Sequence, residues 1–308
     1  MNYAERIMNW FYLALLAPFL YAVVNLIDDN LLHYVYENPY VATASAGIIS
    51  SLPLISLLFL HADNISLELA SLAGLAGFLT TVYFFFYFKA LELEQPSVVI
   101  ALFSLVPATL PFFAHFILHE QLGTLEIVGL IIVLIASLGI AAIDIKKFNF
   151  SAALVPMLVA VVLIDIISLI TKHVYEHTQF YVAYMCFVAG MGLGGLYFVF
   201  ILVLTKARNE LKHFKVSVKK VIPIFFLAEF TYQVAEFTLN LAISHGPVSI
   251  VKVIEGIQPI FVLLIALLLA PFAPKYFREA TAGNLVKKFA FMSIAIVGLV
   301  IINLAIKK

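Results

Sequence analysis

The sequence predicts an all-α integral membrane protein, with ten transmembrane helices arranged as two inverted five-helix repeats. Three observations carry that expectation. Hydrophobic residues make up 64% of the 308 positions and charged residues 12%, with a mean hydropathy of +1.08. A soluble domain has no interior large enough to hide so much apolar surface. Apolar segments close to the ~20 residues that cross a bilayer follow one another along the whole chain. The segment that begins at Pro18 also recurs at Pro156.

The expected spans are 8–33, 41–60, 68–88, 96–118, 125–143, 152–172, 179–204, 221–241, 247–270 and 287–306. The first follows Glu5 and Arg6 without a small-residue cleavage site, so it is read as a retained helix rather than a signal peptide. The seventh is the cleanest, because no charged residue lies between Thr178 and Thr205. The eighth is interrupted by Glu229 and Glu236, and two longer connections fall at 205–220 and 271–286. The lone Cys186 can form no internal disulfide, and a net charge of zero gives no reason to expect nucleic acid.

Pro-Phe-Leu-Tyr-Ala-Val-Val from Pro18 and Pro-Met-Leu-Val-Ala-Val-Val from Pro156 agree at five of seven positions. Val35-Tyr36-Glu37 returns as Val174-Tyr175-Glu176, and Gln95-Pro96-Ser97-Val98-Val99 is answered by Gly246-Pro247-Val248-Ser249-Ile250. Each of the latter pair precedes a mid-segment proline, Pro107 or Pro259, where a helix kink is expected. The units are 1–147 and 148–308. Five spans each would insert the second unit upside down relative to the first, the architecture of many secondary transporters.

Tyr87-Phe88-Lys89-Ala90-Leu91, Gln95 to Val98, Pro107, Leu118-His119-Glu120-Gln121-Leu122 and Gly129 resemble the repeat of EamA-type permeases, in the drug/metabolite transporter superfamily. The stretch from Asn240 to Pro259 is similar to the matching part of the second repeat. The resemblance implies ten spans and transport of a small metabolite. Two departures stand out: His119 replaces the usual glycine before Glu120, and the second half has Ala270-Pro271 where Gly-Glu is expected.

Lys and Arg divide unevenly between the two ends of such a bundle. Arg6, Lys172, Lys307 and Lys308 lie on the side of the termini and thirteen others on the opposite side, with Lys252 inside a span. The positive-inside rule puts the termini outside, in a multi-pass protein of a prokaryotic cytoplasmic membrane, whereas the resemblance implies termini inside.

Polar residues at membrane depth mark the expected site. Glu229, Gln233, Glu236 and Asn240 stand at i, i+4, i+7 and i+11 on the eighth span, with Tyr232 beside them. Lys252, Glu255 and Gln258 recur every three residues on the ninth. Ionisable groups cost about 2.5–3.5 kcal/mol each at the bilayer centre, so they are expected to face a cavity. The candidate cavity residues are therefore Lys252, Glu255, Gln258, Tyr232, Gln233 and Asn25, and the candidate proton-coupling acids are Glu236, Glu255, Asp165 and Glu229. Lys252 and Glu255 are read either as a pair open to a solute or as an i, i+3 pair that only neutralises itself. Asp165 is either a cavity group or a structural partner of Lys252. The aromatic run from Tyr83 to Phe88 is read as helix packing and interfacial anchoring.

The expected function is a secondary transporter of a small organic metabolite, amino-acid-like or otherwise amphipathic, working by alternating access with possible proton coupling. The alternatives are a lipid-linked-sugar flippase, an intramembrane metal-dependent hydrolase using His115, His119 and Glu120, and a non-transporting membrane sensor. No catalytic residue, metal or cofactor is expected for the transporter. Its partners are the substrate and the lipid bilayer, and monomer and homodimer both fit.

Overall fold

The regular structure of the described residues is helical throughout, as long apolar runs must be where no water is present to satisfy a free backbone. The computed structural model describes residues 3–32, 38–58, 64–93, 99, 102–103, 105–144, 152–204, 210–269, 271–272 and 285–306. The first half holds α1 (Tyr3–Leu32), α2 (Pro39–Ile49), a 3-10 segment (Leu52–Leu58), α3 (Leu67–Leu93), α4 (Val106–Ile117) and α5 (Thr124–Asp144). The second holds α6 (Leu154–His177), α7 (Phe180–Leu204), α8 (Glu210–His245), α9 (Val248–Glu255), α10 (Gln258–Leu269) and α11 (Leu285–Ile306). The Val35–Glu37 and Gln95–Val98 motifs, Lys146, Lys147, Lys206, Arg208, Ala270, Lys275 and Arg278 lie outside the described residues.

Among the described residues, helical structure falls within every expected span, and seven stretches are long and apolar enough to cross a membrane. Of the other three, the fourth is described in part, as the 12-residue α4, and the fifth lies on the 21-residue α5, whose apolar run continues in the sequence to Ile143. The eighth lies on α8, 36 residues long, where Glu229 and Glu236 dilute the hydropathy. At 1.5 Å per residue that helix is about 54 Å long, more than a bilayer core requires.

Pro107 and Pro259 mark breaks rather than kinks. Each lies in the first turn of a new helix, α4 or α10, where its missing N–H costs no hydrogen bond. The ninth span is thus α9 and α10 joined through Gly256 and Ile257. A Cβ on Gly256 would stand 3.0 Å from Pro107 Cγ, so the two breaks meet.

Helices of the first half pack on helices of the second. α1 lies against α8 and α10, α3 against α6 and α7, α2 against α7, α5 against α11, and α4 against α9. The small-residue pair Gly190 and Gly194 allows close helix contact. A Cβ on Gly190 would overlap the Gly74 carbonyl, and one on Gly194 would sit 2.6 Å from Thr81 Cβ. Thr81 Oγ1 then reaches across to donate to the Met191 carbonyl at 3.0 Å.

Candidate solute-binding cavity

A cavity enclosing about 1320 Å³, its mouth included, lies between the two sets of helices. α8 supplies its most polar wall. With each residue turning the helix by about 100°, Glu229, Tyr232 and Glu236 share one side, and all three line the cavity. Glu236 is buried and held by neutral donors. The Tyr21 hydroxyl donates to Oε2 at 2.7 Å and that of Tyr232 at 3.0 Å, while the Asn240 amide donates to Oε1 at 2.8 Å. Tyr175 in turn donates to Asn240 Oδ1 at 2.8 Å. Glu229 is buried at 8% exposure.

The break between α9 and α10 supplies the opposite wall. Lys252 Nζ pairs with Glu255 Oε2 at 2.7 Å, and Gly256, Gln258 and Pro259 carry the lining onward. Asn25 joins from α1, one turn beyond Tyr21. The side chains of Asp28 and Asp29 lie outside the described residues.

Two expected site residues sit elsewhere. Gln233 is one 100° step past Tyr232, which turns it toward the end of α2, where Nε2 donates to Ser50 Oγ at 2.6 Å. Asp165 is buried on α6 behind the lining, and Oδ2 accepts from Thr109 Oγ1 at 2.7 Å. It forms no ion pair with Lys252 among the described contacts, since the Lys252 ammonium is committed to Glu255.

The aromatic run was the larger surprise. Tyr83, Phe84, Tyr87 and Phe88 line the cavity, together with Phe103 and Tyr21, whereas Phe85 packs on Tyr40 and Phe198. The rings form a continuous path: Tyr21 to Tyr232 at 5.7 Å between centroids, Tyr232 to Phe84 at 5.5 Å, and Tyr87 to Phe103 at 5.4 Å.

At the end bearing the termini, short connections bring several polar groups together. Lys172 Nζ donates to the carbonyls of Gly246 at 2.9 Å and Ile243 at 3.2 Å, and pairs with Glu176 at 3.1 Å. Glu120 Oε1 accepts the Ser249 N–H at 3.3 Å, so a carboxylate of the first half caps the first turn of α9 in the second. Burial pushes the Glu120 carboxyl above its ordinary range, and its hydrogen bonds to Ser249 pull the other way. The hydrolase alternative finds no support here. His115 is exposed and its ring nitrogen meets the Glu120 carbonyl at 3.1 Å. Among the described residues no group of three or more His, Cys, Asp or Glu is placed to hold a metal.

His119 has φ of 53°, a left-handed backbone that glycine adopts freely. This is the position where the resembled repeat has glycine. His119→Gly is expected to raise stability by about 1 kcal/mol through relief of that strain, read as a higher melting temperature in detergent. An unchanged or lower melting temperature would contradict the strain argument.

Residues 8–142 match the model of the EamA-like transporter family. A solved structure described only as "Crystal structure of protein" superposes with a TM-score of 0.67 at 17% identity, covering 97% of this chain and 98% of that chain. At that identity the likeness concerns the fold. No curated protein matches the chain. Over residues 8–142 the chain therefore carries the pattern of the EamA-like transporter family, the one its motifs resemble.

Proposed function

We propose that the protein is a secondary transporter that moves a small organic metabolite across the membrane by alternating access. The observation that carries this reading is the cavity itself. Glu229, Glu236, Lys252 and Glu255 all line it from the eighth and ninth spans, a costly placement in a bilayer unless a solute or ion passes there. Lys252, Glu255, Gln258, Tyr232 and Asn25 are the proposed solute contacts. Glu236, Glu255 and Glu229 are the proposed proton-coupling groups. Asp165 would act on them from behind the lining.

The moving parts are the units 1–147 and 148–308, inserted in opposite senses. Exchange of the two units converts the α1–α8 packing into the α6–α3 packing and the α1–α10 packing into the α6–α4 packing, and leaves α2–α7 and α5–α11 as pairs across the divide. Pro18 and Pro156 lie inside the corresponding helices α1 and α6, and Pro107 and Pro259 open the corresponding helices α4 and α10. Such matched halves can rock about a site held between them. Lys172, Glu176, Glu120 and the Tyr175–Asn240 contact close the end bearing the termini, and this layer parts in the opposite state.

Glu255→Gln tests the reading. The variant inserts and purifies as the wild type does, but solute counterflow in proteoliposomes falls by tenfold or more, or continues without its proton dependence. Wild-type rates with intact coupling would overturn the assignment of Glu255.

A further inference from the structure

The charges and rings of the cavity specify a solute class. Among the described residues, the carboxyl groups of Glu236 and Glu255 line it together with the ammonium of Lys252. That ammonium is already committed to Glu255 at 2.7 Å. Glu236 is oriented by two phenols and an amide, donors that fix a carboxylate without cancelling its charge. An anionic solute would therefore meet a negative wall, and would have to displace Glu255 to reach Lys252.

The aromatic wall begins where that negative charge sits. Tyr21 and Tyr232, the two phenols on Glu236 Oε2, are the first rings of the path that continues through Phe84 and ends at Tyr87 and Phe103. Phe84 also meets Phe88 at 6.4 Å, and Phe88 meets Tyr87 at 5.3 Å. Ring faces carry partial negative charge and attract a cation within about 6 Å of the centroid, most strongly where water is excluded. The same rings offer a broad apolar surface to the body of the molecule.

We propose that the cavity takes an organic monocation, a protonated amine or quaternary ammonium, that carries an aromatic or similarly broad apolar body. The cationic head lies between Glu236 and the Tyr21 and Tyr232 rings, and the body lies along Phe84, Tyr87 and Phe103. This inference rests on the transporter reading of the same cavity and adds the charge and shape of what is carried.

Three probes with one aromatic body and different charge test it: benzyltrimethylammonium, phenylalanine and 3-phenylpropanoate. Titration calorimetry on the full chain in detergent is expected to show saturable binding of benzyltrimethylammonium, at least about tenfold tighter than either other probe. Glu236→Gln and, on the far wall, Tyr87→Leu should each weaken it by about tenfold. Tyr87→Leu keeps the test valid if the Glu236 variant fails to fold. Tighter binding of phenylalanine or 3-phenylpropanoate, no saturable binding of the cation, or equal affinity in the Tyr87 variant would overturn the proposal. Counterflow of the same probes separates it from the transport reading. Cation binding without counterflow removes transport and keeps the site, whereas counterflow of the zwitterion or anion without cation binding does the reverse.

Discussion

Lys252→Met is expected to destabilise the protein by about 3 kcal/mol, the lower end of the cost of removing one member of a buried ion pair. The substitution preserves the length of the side chain and most of its packing against α9's neighbours, so what is lost is charge. Lys252 is 8% exposed, and its ammonium is the cation that Glu255 Oε2 meets at 2.7 Å. Without it, Glu255 is left as a carboxylate beside apolar walls. The value sits at the lower end because the Glu255 side chain is 24% exposed and cavity water reaches it. Removal of both charges, in Lys252→Met with Glu255→Leu, should restore most of the lost stability, because two matched apolar groups avoid the desolvation that the pair requires. Transport should not return. Thermal unfolding in detergent and counterflow in liposomes together read this cycle. If the single variant melts as the wild type does, the pair is a surface-like contact and not a buried one.

Gly190→Leu should prevent folding, and the contrast with Gly74→Ala makes the claim specific. A Cβ on Gly190 falls onto the Gly74 carbonyl, and one on Gly77 falls onto that of Phe187. Both obstacles are backbone on the facing helix, so α3 and α7 would have to separate along their length. That exceeds the about 1–3 kcal/mol of ordinary overpacking, where a side chain can give way. Gly74 lies on the same crossing, yet a Cβ there meets only the Cys186 carbonyl at 3.8 Å, ordinary contact. Gly74→Ala should therefore give wild-type yields of monodisperse protein after detergent extraction, and Gly190→Leu almost none. Equal yields for the two would show that the helices have room to separate.

The polar face of α8 was legible in the sequence because charge in an apolar span has so few alternatives. Glu229, Tyr232 and Glu236 line the cavity as their spacing implied. The same spacing could not separate Tyr232 from Gln233. Their directions differ by one 100° step, and only the packing of α8 against α1 and α2 decides which of the two meets the cavity and which meets Ser50. Asp165 was read as deep, which it is, but depth along a span says nothing of which neighbour covers the side chain, and Thr109 does. The aromatic wall was illegible for a different reason. Six consecutive aromatic residues from Tyr83 to Phe88 present rings to every side of α3, so the run has no periodic contrast to mark an inner face.

Composition and the spacing of apolar runs by themselves determined a membrane protein of helical spans, with charge buried in two of the spans. Free energy dictates these features locally, since each apolar segment and each misplaced ion has its cost wherever it is put. Tertiary structure alone decided which groups share a cavity. Glu236 is 215 residues from Tyr21 in the chain and 2.7 Å from its hydroxyl. That contact depends on the rotation of two helices about their own axes. Rotation is set by the small-residue crossings and the broken helices that pack around them, and a single helix carries no record of it.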